Sequence, residues 1–115
     1  MSVTIYYLQK GDDHPSYLLH CQAIRRVVFV EGQGVPEAID FDGQDGSCSH
    51  LLLFDATIPV GTTRIRKTDK GMKLERIAVL PAYRKKGYGE LLVKAALSKV
   101  TGTIYINAQV ASLGF

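Results

Sequence analysis

The sequence predicts an α/β (α+β) domain whose elements follow the order β-α-β-β-β-α-β. Three observations lead to this prediction. The first segment is β-branched and aromatic, two later segments carry apolar residues at helical spacing, and three strand-like segments between them are separated by short connections. The chain has 115 residues, 46% of them hydrophobic, which suffices for one core but not for two. We therefore expect residues 1–115 to form one domain.

The first half of the chain contains one predicted strand, one helix and a long loop. Val3–Leu8 is rich in β-branched and aromatic residues, as in a half-buried strand. The segment Ser16–Val28 has apolar residues at helical spacing, and Pro15 suits the first turn of a helix. Glu31–Ser49 is rich in glycine and acidic residues, so we expect a loop with one short helical turn at Glu37–Ile39.

The second half begins with three predicted strands, His50–Asp55, Val60–Lys67 and Met72–Leu80. Their short connections are typical of an antiparallel meander. Gly87–Val100 places its apolar residues on one face and is the clearest helix of the chain. Thr103–Ile106 then predicts a last short strand.

Composition argues against several classes of protein. A net charge of +3 is too small to indicate nucleic-acid binding. No N-terminal signal and no apolar stretch of membrane-spanning length is visible, so we expect no membrane partner and a soluble, cytoplasmic protein. Cys21 and Cys48 form no C-x-x-C pair and have no histidine at ligand spacing, so neither a disulfide framework nor a metal site is expected.

A glycine-rich, basic turn stands between the third meander strand and the clear helix. It reads Val79-Leu80-Pro81-Ala82-Tyr83-Arg84-Lys85-Lys86-Gly87-Tyr88-Gly89. Free N–H groups at a helix N-terminus bind anions, and glycines let the backbone approach a phosphate closely. The turn lacks both the third glycine of a dinucleotide fingerprint and the Gly-Lys-Ser/Thr of a Walker loop. It is therefore a candidate pyrophosphate site of another kind, and its alternative is a glycine turn with a solvated basic face.

Arg84-x-x-Gly87-x-Gly89 resembles the coenzyme A-binding motif of the GNAT N-acetyltransferases. Leu74–Val79 resembles the fourth strand of that family, and Val28–Pro36 and Ile106–Gln109 resemble segments of its small stand-alone members. The resemblance implies the GNAT fold, a mixed and mostly antiparallel sheet flanked by helices, with acetyl-CoA as cosubstrate. It places the pantetheine arm of acetyl-CoA along the edge of the fourth strand, as an additional strand.

The residues that the resemblance assigns to the cosubstrate lie in three segments. The alternative role of Lys85 and Lys86 is that of solvated surface lysines, and the alternative role of Asn107 is to cap a turn. The assigned residues are Ile77, Ala78, Val79, Arg84, Lys85, Lys86, Gly87, Tyr88, Gly89 and Asn107.

Acetyl transfer to an amine requires a proton acceptor, a donor for the developing oxyanion and an acid for the departing thiolate. In similar enzymes a carboxylate at the position of Glu75 accepts the proton. Its alternative is a structural ion pair with Arg76 or Arg64. The resemblance places the oxyanion donor among the backbone N–H groups of residues 77–79.

In this family the general acid that protonates the thiolate is commonly a tyrosine, and the resemblance places it at the residue after Phe115. We therefore expect a domain that is incomplete at its C-terminus. Val110–Phe115 would hold only the start of its helix, and the uncovered sheet would favour a homodimer or aggregation. Tyr83 and Tyr88 are expected to have packing or surface roles instead.

The predicted activity is transfer of acetyl from acetyl-CoA to a primary amine of a small molecule, such as an amino sugar phosphate, by direct attack in a ternary complex. One alternative is an enzyme that acetylates a protein or peptide amino group. The other is a module that binds coenzyme A without catalysing a reaction. Arg25, Arg64 and Arg66 are candidates for an anionic acceptor, against solvent-facing charge. Among the histidines, His50 is the one candidate for the site.

Overall fold

A five-stranded sheet forms the centre of the computed structural model, which describes residues 2–11 and 14–106. The strands lie side by side in chain order, and each pairs antiparallel with the next except the last pair, which is parallel. The predicted mixed sheet with its antiparallel meander is therefore confirmed. The strands are β1 Val3–Leu8, β2 Ser49–Asp55, β3 Ile58–Thr68, β4 Gly71–Val79 and β5 Ile104–Ile106.

In the described ranges three α-helices accompany the sheet: α1 Pro15–Arg25, α2 Glu37–Asp40 and α3 Tyr88–Lys99. The helix predicted to reach Val28 is α-helical only to Arg25 and continues as a π-helical turn over Arg26–Glu31. Valines make up half of that turn, and β-branched side chains crowd a regular α-helix. The short turn expected near residue 37 is α2, whereas the 3₁₀ turn Asp45–Ser47 was not predicted.

The two faces of the sheet bury different helices. On one face Leu51, Leu53, Ile65 and Leu74 pack with Leu92 of α3. On the other face Leu52 and Ala78 pack with Cys21 and Ile24 of α1 and with Val28. Because side chains alternate between the faces of a strand, Glu75 lies on the α1 face, opposite to its neighbour Leu74.

Strand β4 contains a β-bulge at its middle. Thr62 pairs with Ala78 and Arg64 pairs with Glu75, so two residues of β4 lie opposite one residue of β3. Arg76, the first of the two, has φ +54°, which is the left-handed region. Ile77 is the second residue of the bulge. Next to it, Glu75 pairs with Arg64 and Arg76 pairs with Asp40 on the α1 face.

Some predictions concern residues outside the described ranges. Asn107 and the helix expected at Val110–Phe115 lie there. Within residues 2–11 and 14–106, no helix has both the length and the apolar character needed to cross a membrane. Those ranges also hold no cluster of three metal-ligating side chains.

Candidate functional site

The turn between β4 and α3 has the backbone geometry of an anion site. After the 3₁₀ turn Pro81–Tyr83 the chain takes two left-handed residues, Lys85 with φ +65° and Gly87 with φ +79°. Gly87 is the N-cap residue of α3 and, as a glycine, has no side chain that could cap the helix. The first N–H groups of a helix have no acceptor within the helix. Together with the helix dipole they attract an anion.

The space around this turn is open. A Cβ atom placed on Gly87 would meet no heavy atom within 4 Å. Lys85 and Lys86 are exposed, and the ammonium of Lys86 lies 5.5 Å from the centre of the Tyr83 ring. A left-handed conformation at a lysine costs about 1–2 kcal/mol, a strain that is found most often at functional sites.

The backbone of β4 beyond the bulge has an edge without a described neighbour. The N–H of Leu80 donates to the carbonyl of Val60 on β3 at 2.9 Å. Because N–H and C=O of one trans peptide point in opposite directions, the carbonyl of Val79 points away from β3, where Arg84 Nε donates to it at 3.2 Å. Pairing of β4 with β5 covers only Met72 to Leu74 among the described residues.

Two residues predicted to bind the cosubstrate, Tyr88 and Gly89, are buried in the first turn of α3 and are not exposed on its surface. Tyr88 is 3% exposed, and its hydroxyl donates to Asp55 at 2.6 Å. Its phenol is therefore part of the packing between α3 and β2, which leaves only its backbone for a ligand. Gly89 is likewise buried in the first turn of α3. Tyr83 is half-buried against the same core, as expected for a packing role.

Glu75 is 5% exposed and is held by three cations. One carboxylate oxygen accepts from Arg64 and from Arg66 Nε at 2.9 Å, and the other lies 3.3 Å from Lys73 Nζ. Burial disfavours the charged form, but hydrogen bonds from Arg66 and Arg64 outweigh it and lower the pKa of Glu75 to about 2. The ion pair considered with Arg64 is present, whereas the guanidinium of Arg76 pairs with Asp40 and Asp42.

Arg64 is the centre of a buried ionic network. All five of its N–H groups donate to carboxylates: Nε and Nη2 to Glu75, Nη1 and Nη2 to Asp42, and Nη1 to Asp45 at 2.9 Å. Arg25 extends the network, since it donates to Asp45 at 2.7 Å and to Asp40 at 3.4 Å.

This network corrects two expectations about the arginines. Arg25 and Arg64 are 0% and 1% exposed, so neither carries solvent-facing charge. Their donors are directed at carboxylates and, for Arg25, also at the backbone carbonyl of Asp40, so neither has the free guanidinium that an anionic acceptor needs. Sequence reasoning missed the carboxylate partners, because Asp40, Asp42 and Asp45 form no motif and meet the arginines only through the fold.

His50 is 1% exposed and lies beside this network. Its Nε2 is 2.9 Å from the carbonyl of Asp45, which can only accept, so Nε2 carries the proton. Burial lowers the pKa of His50, which is therefore neutral at physiological pH. Its Nδ1 is buried and meets no donor among the described residues.

The chain is similar to several known proteins. Residues 16–115 match the model of the acetyltransferase (GNAT) family. YyaT of Bacillus subtilis, an uncharacterized protein, is 47% identical over 73 residues, which are 61% of this chain and 49% of YyaT. The uncharacterized N-acetyltransferase YjcF of the same organism is 34% identical over 96 residues, 80% of this chain and 69% of YjcF.

Among solved structures, ElaA of Escherichia coli is 26% identical with a TM-score of 0.80, over 91% of this chain and 77% of ElaA. The chain spans about half the length of the curated relatives that it matches at 47% identity. The family match covers most of the chain and includes the bulged strand, the left-handed turn and helix α3. The chain belongs to the GNAT acetyltransferase family.

Proposed function

We propose that this protein transfers the acetyl group of acetyl-CoA to a primary amine of a small molecule, by direct attack in a ternary complex. The observation that carries the proposal is the path of the backbone from β4 to α3. Among the described residues, a bulged strand whose edge beyond Leu74 has no partner strand runs directly into a left-handed turn, and that turn ends in a glycine at the start of α3. Family membership supports the same activity.

The residues present fit a coenzyme A pyrophosphate. Backbone N–H groups at the start of α3 would hold its oxygens, and Gly87 offers no Cβ that would obstruct their approach. Lys85 and Lys86 would add positive charge beside it. Arg84 would order the turn, because it already ties the turn to the carbonyl of Val79.

The edge of β4 fits an extended amide-containing arm. Peptide groups of Ile77 and Val79 on the side away from β3 would pair with it as with another strand, and Ala78 would continue to pair with Thr62. When bound, acetyl-CoA supplies an activated acetyl thioester. Backbone N–H groups at the bulge would donate to the carbonyl oxygen of the acetyl group as negative charge develops there.

Proton removal from the amine is assigned to Glu75, directly or through water. Its position next to the bulge supports the assignment, since Arg76 follows it in the left-handed conformation. Its ion pairs oppose the assignment, because a carboxylate with a pKa of about 2 is a weak proton acceptor. The proton-acceptor role of Glu75 therefore stays a prediction, which the variant Glu75→Gln tests.

A small acceptor is favoured over a protein chain by the fixed loop on the α1 face. Arg25 donates to the carbonyl of Asp40 at 2.6 Å, and Arg64 holds Asp42 and Asp45. The loop from α2 to β2 is thus fastened to the sheet on the side of Glu75. A fastened loop encloses a compact ligand better than it admits an extended peptide.

The test combines a binding measurement with a turnover measurement. Coenzyme A binding is measured by calorimetry, and release of its thiol from acetyl-CoA is followed with an aromatic disulfide reagent in the presence of small amines and of lysine-containing peptides. Cys21 and Cys48 are 0% and 4% exposed, so the folded protein should contribute little signal. Turnover with small amines supports the proposal, turnover with peptides alone supports a protein acetyltransferase, and binding without turnover supports a silent module.

A further inference from the structure

Two cations face each other across β3 and β4 on the α1 face. Arg66 and Lys73 are direct partners in the register of the two strands. Like charges opposite each other in a sheet destabilise it unless an anion lies between them. The nearest carboxylate is Glu75, 2.9 Å from Arg66 Nε and 3.3 Å from Lys73 Nζ.

Glu75 cannot neutralise both cations, because it also accepts two hydrogen bonds from Arg64. Among the described residues, the connected network contains five cations and four carboxylates, and so has an excess of one positive charge. Its members are Arg25, Arg64, Arg66, Lys73, Arg76, Asp40, Asp42, Asp45 and Glu75.

The network reaches solvent in two places. At one, the side chain of Arg76 is 23% exposed and pairs with that of Asp42, which is 22% exposed. At the other, the side chains of Arg66 and Lys73 are 29% and 17% exposed and share that of Glu75, which is 3% exposed, so positive charge is in excess there. Nη1 of Arg66 meets no acceptor among the described residues, because the two hydrogen bonds of its guanidinium to Glu75 come from Nε and Nη2. Arg66 therefore retains N–H donors that can bind an external anion.

A tyrosine borders this surface. Tyr105 of β5 is the register partner of Lys73, and its hydroxyl is 2.8 Å from Thr68 Oγ1. Because the Thr68 hydroxyl donates to the carbonyl of Gly71, the Tyr105 hydroxyl donates to Thr68. We call Arg66 and Lys73 the cationic patch. A guanidinium and an ammonium are both donors to phosphate or carboxylate oxygens.

The patch lies at a useful distance from the bulge. Lys73 precedes Ile77 by four residues, or about 13 Å along a strand. The long side chains of Arg66 and Lys73 shorten the gap that a ligand has to span. A molecule whose amine lies at the bulge would thus reach the patch with an acidic group that is a few bonds, or one sugar ring, away from the amine.

We infer that the cationic patch binds the acidic group of the acceptor, so that the substrates are small primary amines carrying a phosphate or a carboxylate. This inference rests on the proposed acetyltransferase function. It assigns the anion to Arg66 and Lys73 rather than to Arg25 or Arg64, whose donors are directed at acceptors of the chain itself.

The experiment compares matched amines in the wild type and two variants. Ethanolamine is paired with phosphoethanolamine, glucosamine with glucosamine 6-phosphate, and propylamine with β-alanine. The patch variant is Arg66→Gln with Lys73→Gln. The control is Lys67→Gln, which changes a lysine of the same hairpin that is exposed and directed to the α3 face.

The wild type and the control should show kcat/KM at least tenfold higher for the acidic member of one pair. The patch variant should lose most of that preference and retain coenzyme A affinity. Because Arg66 and Lys73 also pair with Glu75, the preference is measured as the ratio of kcat/KM within a pair, so that any change in turnover common to both amines cancels. If the double variant does not fold, each single substitution should lower the preference in part. The inference is overturned if the wild type prefers the neutral amines, or if the preference persists without the patch.

Absence of turnover with every amine would count against the proposed function. Anion binding at the patch is then measured directly. Inorganic phosphate is then titrated into the protein with excess coenzyme A present, and amide resonances of the β3–β4 hairpin are followed by NMR. Shifts that saturate in the wild type and vanish in the patch variant support the anion site. No shifts, or the same shifts in both proteins, overturn it.

Discussion

Arg64 and Glu75 face each other across β3 and β4 and are joined by two hydrogen bonds, from Nε and from Nη2 of the guanidinium to one carboxylate oxygen. The remaining N–H groups of Arg64 hold Asp42 and Asp45 on the loop that follows α2. The pair therefore connects the strand that carries the candidate site to the loop that encloses it. Removing one partner of such a buried set leaves uncompensated charge, at a cost of about 3–5 kcal/mol.

Replacing Arg64 with lysine should be strongly destabilising although the charge is kept. An ammonium offers three donors from one point, whereas the guanidinium uses five N–H groups in a fixed plane to reach three carboxylates. We expect Arg64→Lys to lower the free energy of unfolding by about 2–4 kcal/mol in urea titrations. Arg26→Lys is the control, because Arg26 pairs with Glu37 at the surface and should change stability by less than about 1 kcal/mol. Equal effects would show that the network contributes no more than a surface pair.

The same network should make stability fall in acid. The pKa of Glu75 is about 2 in the folded protein, below its ordinary value of 4.5, because its arginine hydrogen bonds outweigh burial. Hydrogen bonding to Arg64 lowers the pKa of Asp42 in the same direction. A depressed carboxyl pKa stabilises the folded state above the unfolded pKa, and this contribution is lost as pH falls through the folded value.

Thermal melts of the wild type should therefore shift to lower temperature between about pH 4.5 and pH 2. This shift adds to the loss of stability below about pH 6.5 that the lowered pKa of His50 predicts, because the unfolded chain takes up that proton first. In Glu75→Gln the shift should be smaller, since one of the titrating groups is gone. A wild-type melting temperature that is independent of pH over this range would contradict the depressed pKa values.

Much of the fold was predictable because its elements depend on local patterns. Val3–Leu8 was predicted to the residue, and α3 was predicted within one residue at each end, because periodicity and glycine punctuation are properties of contiguous sequence. The turn at Gly87 was predictable for the same reason. The ionic network was not, since Asp45 meets Arg64 only after β2 and β3 have paired.

The role of Glu75 could be proposed from its place on β4 but not decided from it. Whether a carboxylate accepts protons depends on its surroundings, and Arg66 and Lys73 reach it from positions that no spacing rule connects with catalysis. The bulge at Arg76 could likewise not be predicted from the local sequence, because arginine has no preference for the left-handed region.

Glu75→Gln separates the proton-acceptor role from the ion-pair role. If Glu75 accepts the proton, kcat should fall by about 100-fold or more while the coenzyme A Kd changes little. Because the pKa of Glu75 is about 2, its own titration should produce no acid limb between pH 6 and pH 9. Asp42→Asn is the matched control, since it removes another carboxylate bound to Arg64 with the same change in charge. Similar kcat values in the two variants would assign Glu75 to the ion-pair network alone.

Gly87→Val should abolish coenzyme A binding more than it harms the fold. The substitution places a branched side chain in the open space at the start of α3 and forces valine into φ +79°. Backbone strain alone predicts a loss of stability of about 1–3 kcal/mol. Gly102→Val is the control, because Gly102 has φ +83°, also faces open space, and lies after the far end of α3. The melting temperature should decrease by a similar amount in both variants. Only in Gly87→Val should the affinity for coenzyme A fall, by at least tenfold in calorimetric titrations. If both variants bind coenzyme A like the wild type, or lose affinity equally, the pyrophosphate site does not lie at this turn.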